Sequence, residues 1–369
     1  MKVLLFANTD WYLYNFRLPL AVALRRKGHR VILVSPPGSF AQRISDAGFE
    51  WVPFDFSRAG TNPLKELGAL IRLVRLYKDI QPDFVHHFTI KCVLYGSAAA
   101  RFCGVPKVVN AVTGLGHVFT TNNIRNRVLA QLVLFSYRLA LSKSHVVFQN
   151  PDDLEAFDSM GLLPMGQCHL IRGSGVNVER FHPREQALAD EPVRIVMVAR
   201  LLREKGVVEF VEAATQLAGI HKNVEFILAG STDPGNPSSI EESTLREWEQ
   251  LHFLSMRGHV EDVAELLRTV HICVLPSYRE GTPRSLLEAA ASGLPLVATD
   301  VPGCREVVKH GSNGYLVPSN DAKELAKAIH LLIVDGELRE TFGKKSRELA
   351  VKEFAEHTVL ERTIDVYSL

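Results

Sequence analysis

At 369 residues the chain is longer than one hydrophobic core usually supports, and 46% apolar with 22% charged residues describe a folded, two-domain protein, not a disordered one. Five scattered cysteines (Cys92, Cys103, Cys168, Cys273, Cys304) form no C-x-x-C pair, which speaks against a disulfide framework or zinc site and fits a reducing cytoplasm. The net charge of +1 hides two unlike halves: residues 1–180 carry 21 basic against 12 acidic residues, and the rest 21 against 29. A basic half suits phosphate or an anionic surface, although drift in surface composition gives the same imbalance.

In chain order, Met1 to Ala7 is too short an apolar run for a signal peptide and reads as a first buried strand, Val3–Phe6, ending at Asn8 and Asp10. A helix over Leu18–Arg26, stopped by Gly28, leads to a strand at Val31–Val34. Phe84–Val85, Val108–Val112 and Val146–Phe148 follow, each after a candidate helix. No stretch offers the long uncharged run of a spanning helix; Leu129 to Leu141 contains Gln131 and Arg138. From Phe181 to Pro192 the sequence turns polar and reads as a linker. The pattern then restarts with Val193–Val198, Val224–Ala229, His271–Leu275 and Leu294–Ala298. Apolar runs alternating with helices predict an α/β protein of two Rossmann-like parallel-sheet domains facing across a cleft, with ligands at the strands' carboxyl ends. The expected divisions are 1–180, a linker at 181–192, 193–354, and a C-terminal helix in 355–369 packing back on the first domain.

The stretch from Leu275 to Pro295 says most about chemistry. Glu280 precedes a predicted helix that begins near Pro283, and Glu288 lies one to two turns inside it. Eight residues at helical rise span at most roughly 12 Å, about the reach from the ribose to the sugar of a nucleotide-sugar, and the free N–H groups between them suit a diphosphate. Arg200 and Lys205 follow the strand Val193–Val198, where cations at a strand's carboxyl end can neutralise a leaving diphosphate. Gly173-Ser-Gly175-Val-Asn177 lacks the third glycine of a dinucleotide fingerprint. No Walker loop, H-E-x-x-H or Asp-x-Asp occurs, so no metal site is expected. Taken singly, each of these features also fits an ordinary charged surface.

Their order carries a resemblance. Gly175-Val176-Asn177 to Phe181, Arg200-Leu201 with Lys205-Gly206, Gly258-His259-Val260, Pro276 to Gly281, Glu288-Ala289, Gly293-Leu294-Pro295, Gly303 with Glu306, and Gly311 to Pro318 together resemble the donor domain of family-four retaining glycosyltransferases, which have the GT-B fold. The resemblance implies that Glu288 meets the donor ribose, Glu280 the transferred sugar, and Arg200 and Lys205 the diphosphate. It implies that the backbone around Gly281, Thr282, Pro283, Arg284, Ser285, Leu286 and Leu287 binds phosphate and sugar oxygens, with Gly258, His259 and Val260 at the base. It also implies no metal and no cofactor, the UDP-sugar being a co-substrate. Ser174 and Asn177 depart from the family's usual residues.

The N-terminal half departs further. Asn8 to Arg17 replaces a glycine-rich loop with aromatics, and Thr113 stands where the family has a histidine, with His117 four residues on. Asn15, Arg17, Thr113, Gly114 and His117 are the acceptor or cleft candidates. Trp11 to Pro19 with Thr113 to Gly116 is similar to bacterial transferases that add N-acetylhexosamines to undecaprenyl-diphosphate-linked sugars. The expected enzyme is a retaining, metal-independent hexosyltransferase. It uses a UDP-sugar and a lipid-linked saccharide acceptor in surface glycan assembly, binds no nucleic acid, and is cytoplasmic and peripheral on an anionic membrane. Lys65, Arg72, Arg75 and Lys78, and Arg125, Arg127, Arg138 and Lys143, would make that contact. The rival readings are a nucleotide-sugar epimerase on the same fold, a transferase with a soluble acceptor, and a catalytically dead nucleotide-sugar scaffold.

Overall fold

The structure is a computed structural model that describes residues 1–56, 62–112, 124–164, 167–185 and 192–367, with the backbone alone at 63 and 124–132. It divides into two compact units, one of Met1–Ser174 with Leu360–Leu369 and one of Gly175–Val359.

The first unit holds seven parallel strands: β1 (Lys2–Phe6), β2 (Arg30–Ser35), β3 (Glu50–Pro53), β4 (Phe84–Phe88), β5 (Lys107–Val112), β6 (His145–Phe148) and β7 (Cys168–Leu170), in the order 3-2-1-4-5-6-7. Leu4, Phe6, Ile32, Val34 and Val85 pack with Leu73 and Tyr77 of the helix Pro63–Ile80. Asn62 caps that helix by accepting from the N–H groups of Leu64 and Lys65, and Pro63 follows it where no N–H is needed. A second core joins Val146 and Phe148 to Tyr137, Leu141 and Phe157.

The second unit holds β8 (Val193–Val198), β9 (Val224–Ala229), β10 (Leu254–Gly258), β11 (Ile272–Leu275), β12 (Leu296–Thr299) and β13 (Gly314–Val317), all parallel, in the order 10-9-8-11-12-13. Each sheet therefore reverses its winding beside its first strand, between β1 and β4 and between β8 and β11. In open α/β sheets ligands bind outside the strands' carboxyl ends at such reversals. This is the two-domain GT-B architecture read from the sequence.

Two expectations shift. The units divide at Ser174/Gly175, not within 181–192. Phe181 belongs to the second unit's core, Arg184 donates to the Val270 carbonyl at 2.9 Å, and the Arg347 guanidinium holds the Val178 and Phe181 carbonyls. The polar character that suggested a linker there belongs to a strap fixed by part-buried bonds from arginine side chains to backbone carbonyls; residues 186–191 lie outside the described residues. Four strands (β3, β7, β10, β13) had no counterpart in the sequence reading.

Candidate active site

The geometry around the β8–β11 reversal is set by backbone that only glycine allows. After β8 the chain runs through Arg200 into a short 3-10 turn, Arg203–Lys205, which closes on Gly206 at φ +75°. A Cβ on Gly206 would fall 2.0 Å from the Pro276 carbonyl oxygen, so the loops after β8 and β11 touch there backbone to backbone. The contact is sewn by Tyr278 N–H and Ser277 Oγ, both donating to the Glu204 carbonyl at 2.9 and 3.1 Å. On the other side, Gly303 at φ +81° lets its loop approach the Gly281 carbonyl, where a Cβ would sit 1.9 Å away.

Held this way, the Lys205 ammonium donates to the Glu280 carboxylate at 2.5 Å, and both side chains are mostly buried. The structure thus brings these two sequence candidates together. Arg200 is half exposed and donates to Asp233 at 2.5 Å, a partner that the sequence reading missed because Asp233 stands in a Pro/Gly/Ser loop. The helix Arg284–Ala291 begins after Pro283, its extended N-cap residue. Leu286 and Leu287 point into the core, so only their backbone can face a ligand, while Gly281, Thr282, Arg284 and Ser285 remain partly exposed.

Glu288 lies one turn inside, 9% exposed, and accepts from Arg284 Nε at 2.7 Å. Burial raises its pKa, offset by the charges of Arg284 and Arg180. Glu356, in the same unit, is also raised by burial and eased by Arg284. The i,i+4 spacing of Arg284 and Glu288 was visible in the sequence; Arg180 and Glu356 carried no local signal. Gly258 ends β10 at φ +58°, and its carbonyl accepts from Gly230 N–H at 2.7 Å; His259 is exposed and Val260 partly so.

In the first unit, Asn15 donates to the Trp11 carbonyl at 2.9 Å and Arg17 to the Tyr12 hydroxyl at 2.7 Å. Thr113, Gly114 and His117 lie outside the described residues. No cluster of three or more metal-ligating side chains occurs among the described residues.

Residues 178–349 match the family described as glycosyl transferases group 1, and residues 2–150 the family described as glycosyl transferase 4-like. The whole chain is 29% identical to 98% of a Campylobacter jejuni N,N'-diacetylbacillosaminyl-diphospho-undecaprenol alpha-1,3-N-acetylgalactosaminyltransferase. Over 82% of its length it is 26% identical to 80% of an Escherichia coli UDP-Gal:alpha-D-GlcNAc-diphosphoundecaprenol alpha-1,3-galactosyltransferase. Among solved structures, Anabaena HepE in complex with UDP and glucose superposes with a TM-score of 0.80 at 19% identity, covering 100% of this chain and 99% of that one. The chain belongs to the GT-B glycosyltransferases, a 4-like domain forming its N-terminal half and a group 1 domain its C-terminal half.

Proposed function

We propose that the enzyme moves an N-acetylhexosamine from a UDP-sugar to a polyprenyl-diphosphate-linked saccharide with retention of configuration and without a metal. The observation that carries this reading is the Lys205–Glu280 pair at the β8–β11 reversal, one loop ahead of the helix that buries Glu288. Lys205 and Arg200 would meet the diphosphate, Glu288 the ribose and Glu280 the sugar. The acceptor hydroxyl would attack the anomeric carbon on the face the diphosphate leaves. The carbon–oxygen bond to phosphate breaks as the new glycosidic bond forms, and a β-phosphate oxygen takes the hydroxyl proton. No enzyme nucleophile is needed; the cations and Glu280 stabilise developing charge. The full-length likeness to a transferase named for a diphospho-undecaprenol acceptor, and the UDP in the HepE complex, support the substrate classes.

A lipid-borne acceptor would be met at the anionic cytoplasmic face of the membrane. The helix Pro63–Ile80 exposes Leu64, Leu67 and Ile71 among Lys65, Arg72, Arg75 and Lys78, and Phe102, Phe135, Leu139, Arg138 and Lys143 are exposed as well. The side chains of Arg125 and Arg127 lie outside the described residues. Each basic residue near an anionic surface contributes about 1 kcal/mol, enough in a cluster for reversible docking. Among the described residues no helix is long and apolar enough to cross a membrane.

Incubation with UDP-sugars, with and without a lipid-diphosphate saccharide, tests the reaction. Transfer should require the lipid acceptor, survive excess EDTA, and give the α-linked product from an α-linked donor. An altered nucleotide-sugar released without acceptor would replace this reading with an epimerase. Co-sedimentation with phosphatidylglycerol vesicles tests docking; equal recovery with neutral vesicles would point to a soluble acceptor.

A further inference from the structure

The β1–β4 reversal also carries a cation, of a different kind. Arg17 ends the short π-helical turn Leu13–Arg17, and its guanidinium lies 4.3 Å over the ring of Phe88, the last residue of β4. Tyr12 flanks it, accepting from Nη2 through its hydroxyl. Arg17 is 7% exposed, and its Nε is buried without an acceptor. Among the described residues no carboxylate pairs with it. Asp10, close by in sequence, accepts instead from the backbone N–H groups of Trp11, Phe40 and Ala41. The His86 ring, 4.0 Å from that of Phe88, adds no second positive charge, since burial and then the Arg17 charge keep it neutral.

The helix Ile90–Phe102 starts at the same place. Thr89, its N-cap, makes no side-chain cap bond and sits at φ +74°, rare for a β-branched residue. The end of β4 thus carries both a positive helix end, at Thr89, and over the Phe88 ring a buried cation with no counter-charge among the described residues. The two rings fix the plane of the guanidinium, whose fork matches phosphoryl oxygens. A buried charge left in this state is destabilising until an anion arrives.

We infer that Arg17 and the helix start at Thr89 form a subsite for a phosphoryl group in the first unit, built from residues other than those of the Lys205–Glu280 pair. That the phosphoryl belongs to a substrate, either the lipid-diphosphate acceptor or the nucleotide-sugar, rests on the function proposed above; the anion site itself does not.

Thermal melting with inorganic pyrophosphate tests the site. Pyrophosphate should raise the midpoint of the wild type and of Arg200→Ala/Lys205→Ala, and adding Arg17→Met to that double variant should abolish the response. Without pyrophosphate, Arg17→Met should melt no lower than wild type, because it removes an uncompensated charge at similar volume. A response that survives Arg17→Met would overturn the subsite, leaving Arg17 as an aromatic spacer. Should Arg17→Met fail to fold, Arg17→Lys, which keeps the charge but loses the fork, should need about tenfold more pyrophosphate for the same shift, and an unchanged response would likewise overturn the subsite.

Kinetics identify the source. Arg17→Met should raise KM at least about thirtyfold for the substrate whose phosphoryl group it holds, and leave the other's unchanged. For the acceptor, the matching neutral alkyl glycoside should be unaffected. Unchanged KM for both substrates would refute the assignment to a substrate. If the wild type uses no lipid-linked acceptor and yet pyrophosphate binding depends on Arg17, the functional reading fails while the anion site stands.

Discussion

At the carboxyl ends of β8 and β11, Arg200 rests on Asp233 and Lys205 on Glu280. At the ends of β1 and β4, Arg17 rests on the rings of Phe88 and Tyr12. The topology is the same and the electrostatics are opposite. Paired cations cost little to keep and release a carboxylate when a diphosphate competes, all the more readily where the pair is half exposed, as at Arg200. A stacked, unpaired cation is held in shape but not in charge. One doubly wound sheet thus presents cations already satisfied, and the other a cation still to be satisfied.

The largest effect that would break this comparison lies at Lys205. Lys205→Ala should lower turnover by at least about a hundredfold with folding intact, since it removes positive charge from the leaving diphosphate; Arg200→Ala should do the same. Near-normal rates in a folded variant would remove the diphosphate role. Gly206→Ala should follow: its Cβ would meet the Pro276 carbonyl at 2.0 Å, and φ there is +75°. A loss of about 2–4 kcal/mol in denaturant melts, with activity, is expected. A variant as stable as wild type would show that the two loops can part without harm.

Glu288 and Glu280 sharpen the comparison within the second unit. Titration of UDP should show Glu288→Ala weakened by roughly 1–3 kcal/mol, while Glu280→Ala binds UDP nearly normally but transfers slowly. Unaltered UDP affinity in Glu288→Ala would end its ribose role.

Acid should separate the units more gently. Burial pushes His87 down to about 4 and His86 well below the ordinary imidazole value, and His29, His145 and His169 are lowered too. The second unit has His271, lowered to about 4 by burial and three arginines, and His221. These rings stay neutral when folded and charge first in the unfolded chain. Stability is therefore full above about pH 6.5 and falls toward pH 4, by about 1.4 kcal/mol per pH unit for each fully buried ring. Limited proteolysis between pH 7 and 4.5 should cut the first unit before the second, and simultaneous cutting would show that the buried histidines do not set the order.

Much of the fold was legible because the central strands are buried on both faces. Val3–Phe6, Val31–Val34, Val193–Val198 and Val224–Ala229 read as unbroken apolar runs, and all were found. The four strands missed, β3, β7, β10 and β13, are the four sheet edges. With only one neighbour and partial burial, Glu50–Pro53 or Leu254–Gly258 need no apolar run, so the sequence there carries no strand signal.

For the site, the sequence alone determined that Glu280 precedes a helix and Glu288 lies inside it, because local propensity and the prolines decide where that helix starts. It also determined that Arg200 and Lys205 follow a strand's carboxyl end. Only the tertiary structure decided that Lys205 meets Glu280 and Arg200 meets Asp233, pairs 75 and 33 residues apart. Nor could any local pattern show that Arg17 has a ring from a distant strand and, among the described residues, no carboxylate. Pairing across a sheet's reversal depends on which loops the parallel order brings together, and that order is set by long-range burial, which leaves no mark on the residues it joins.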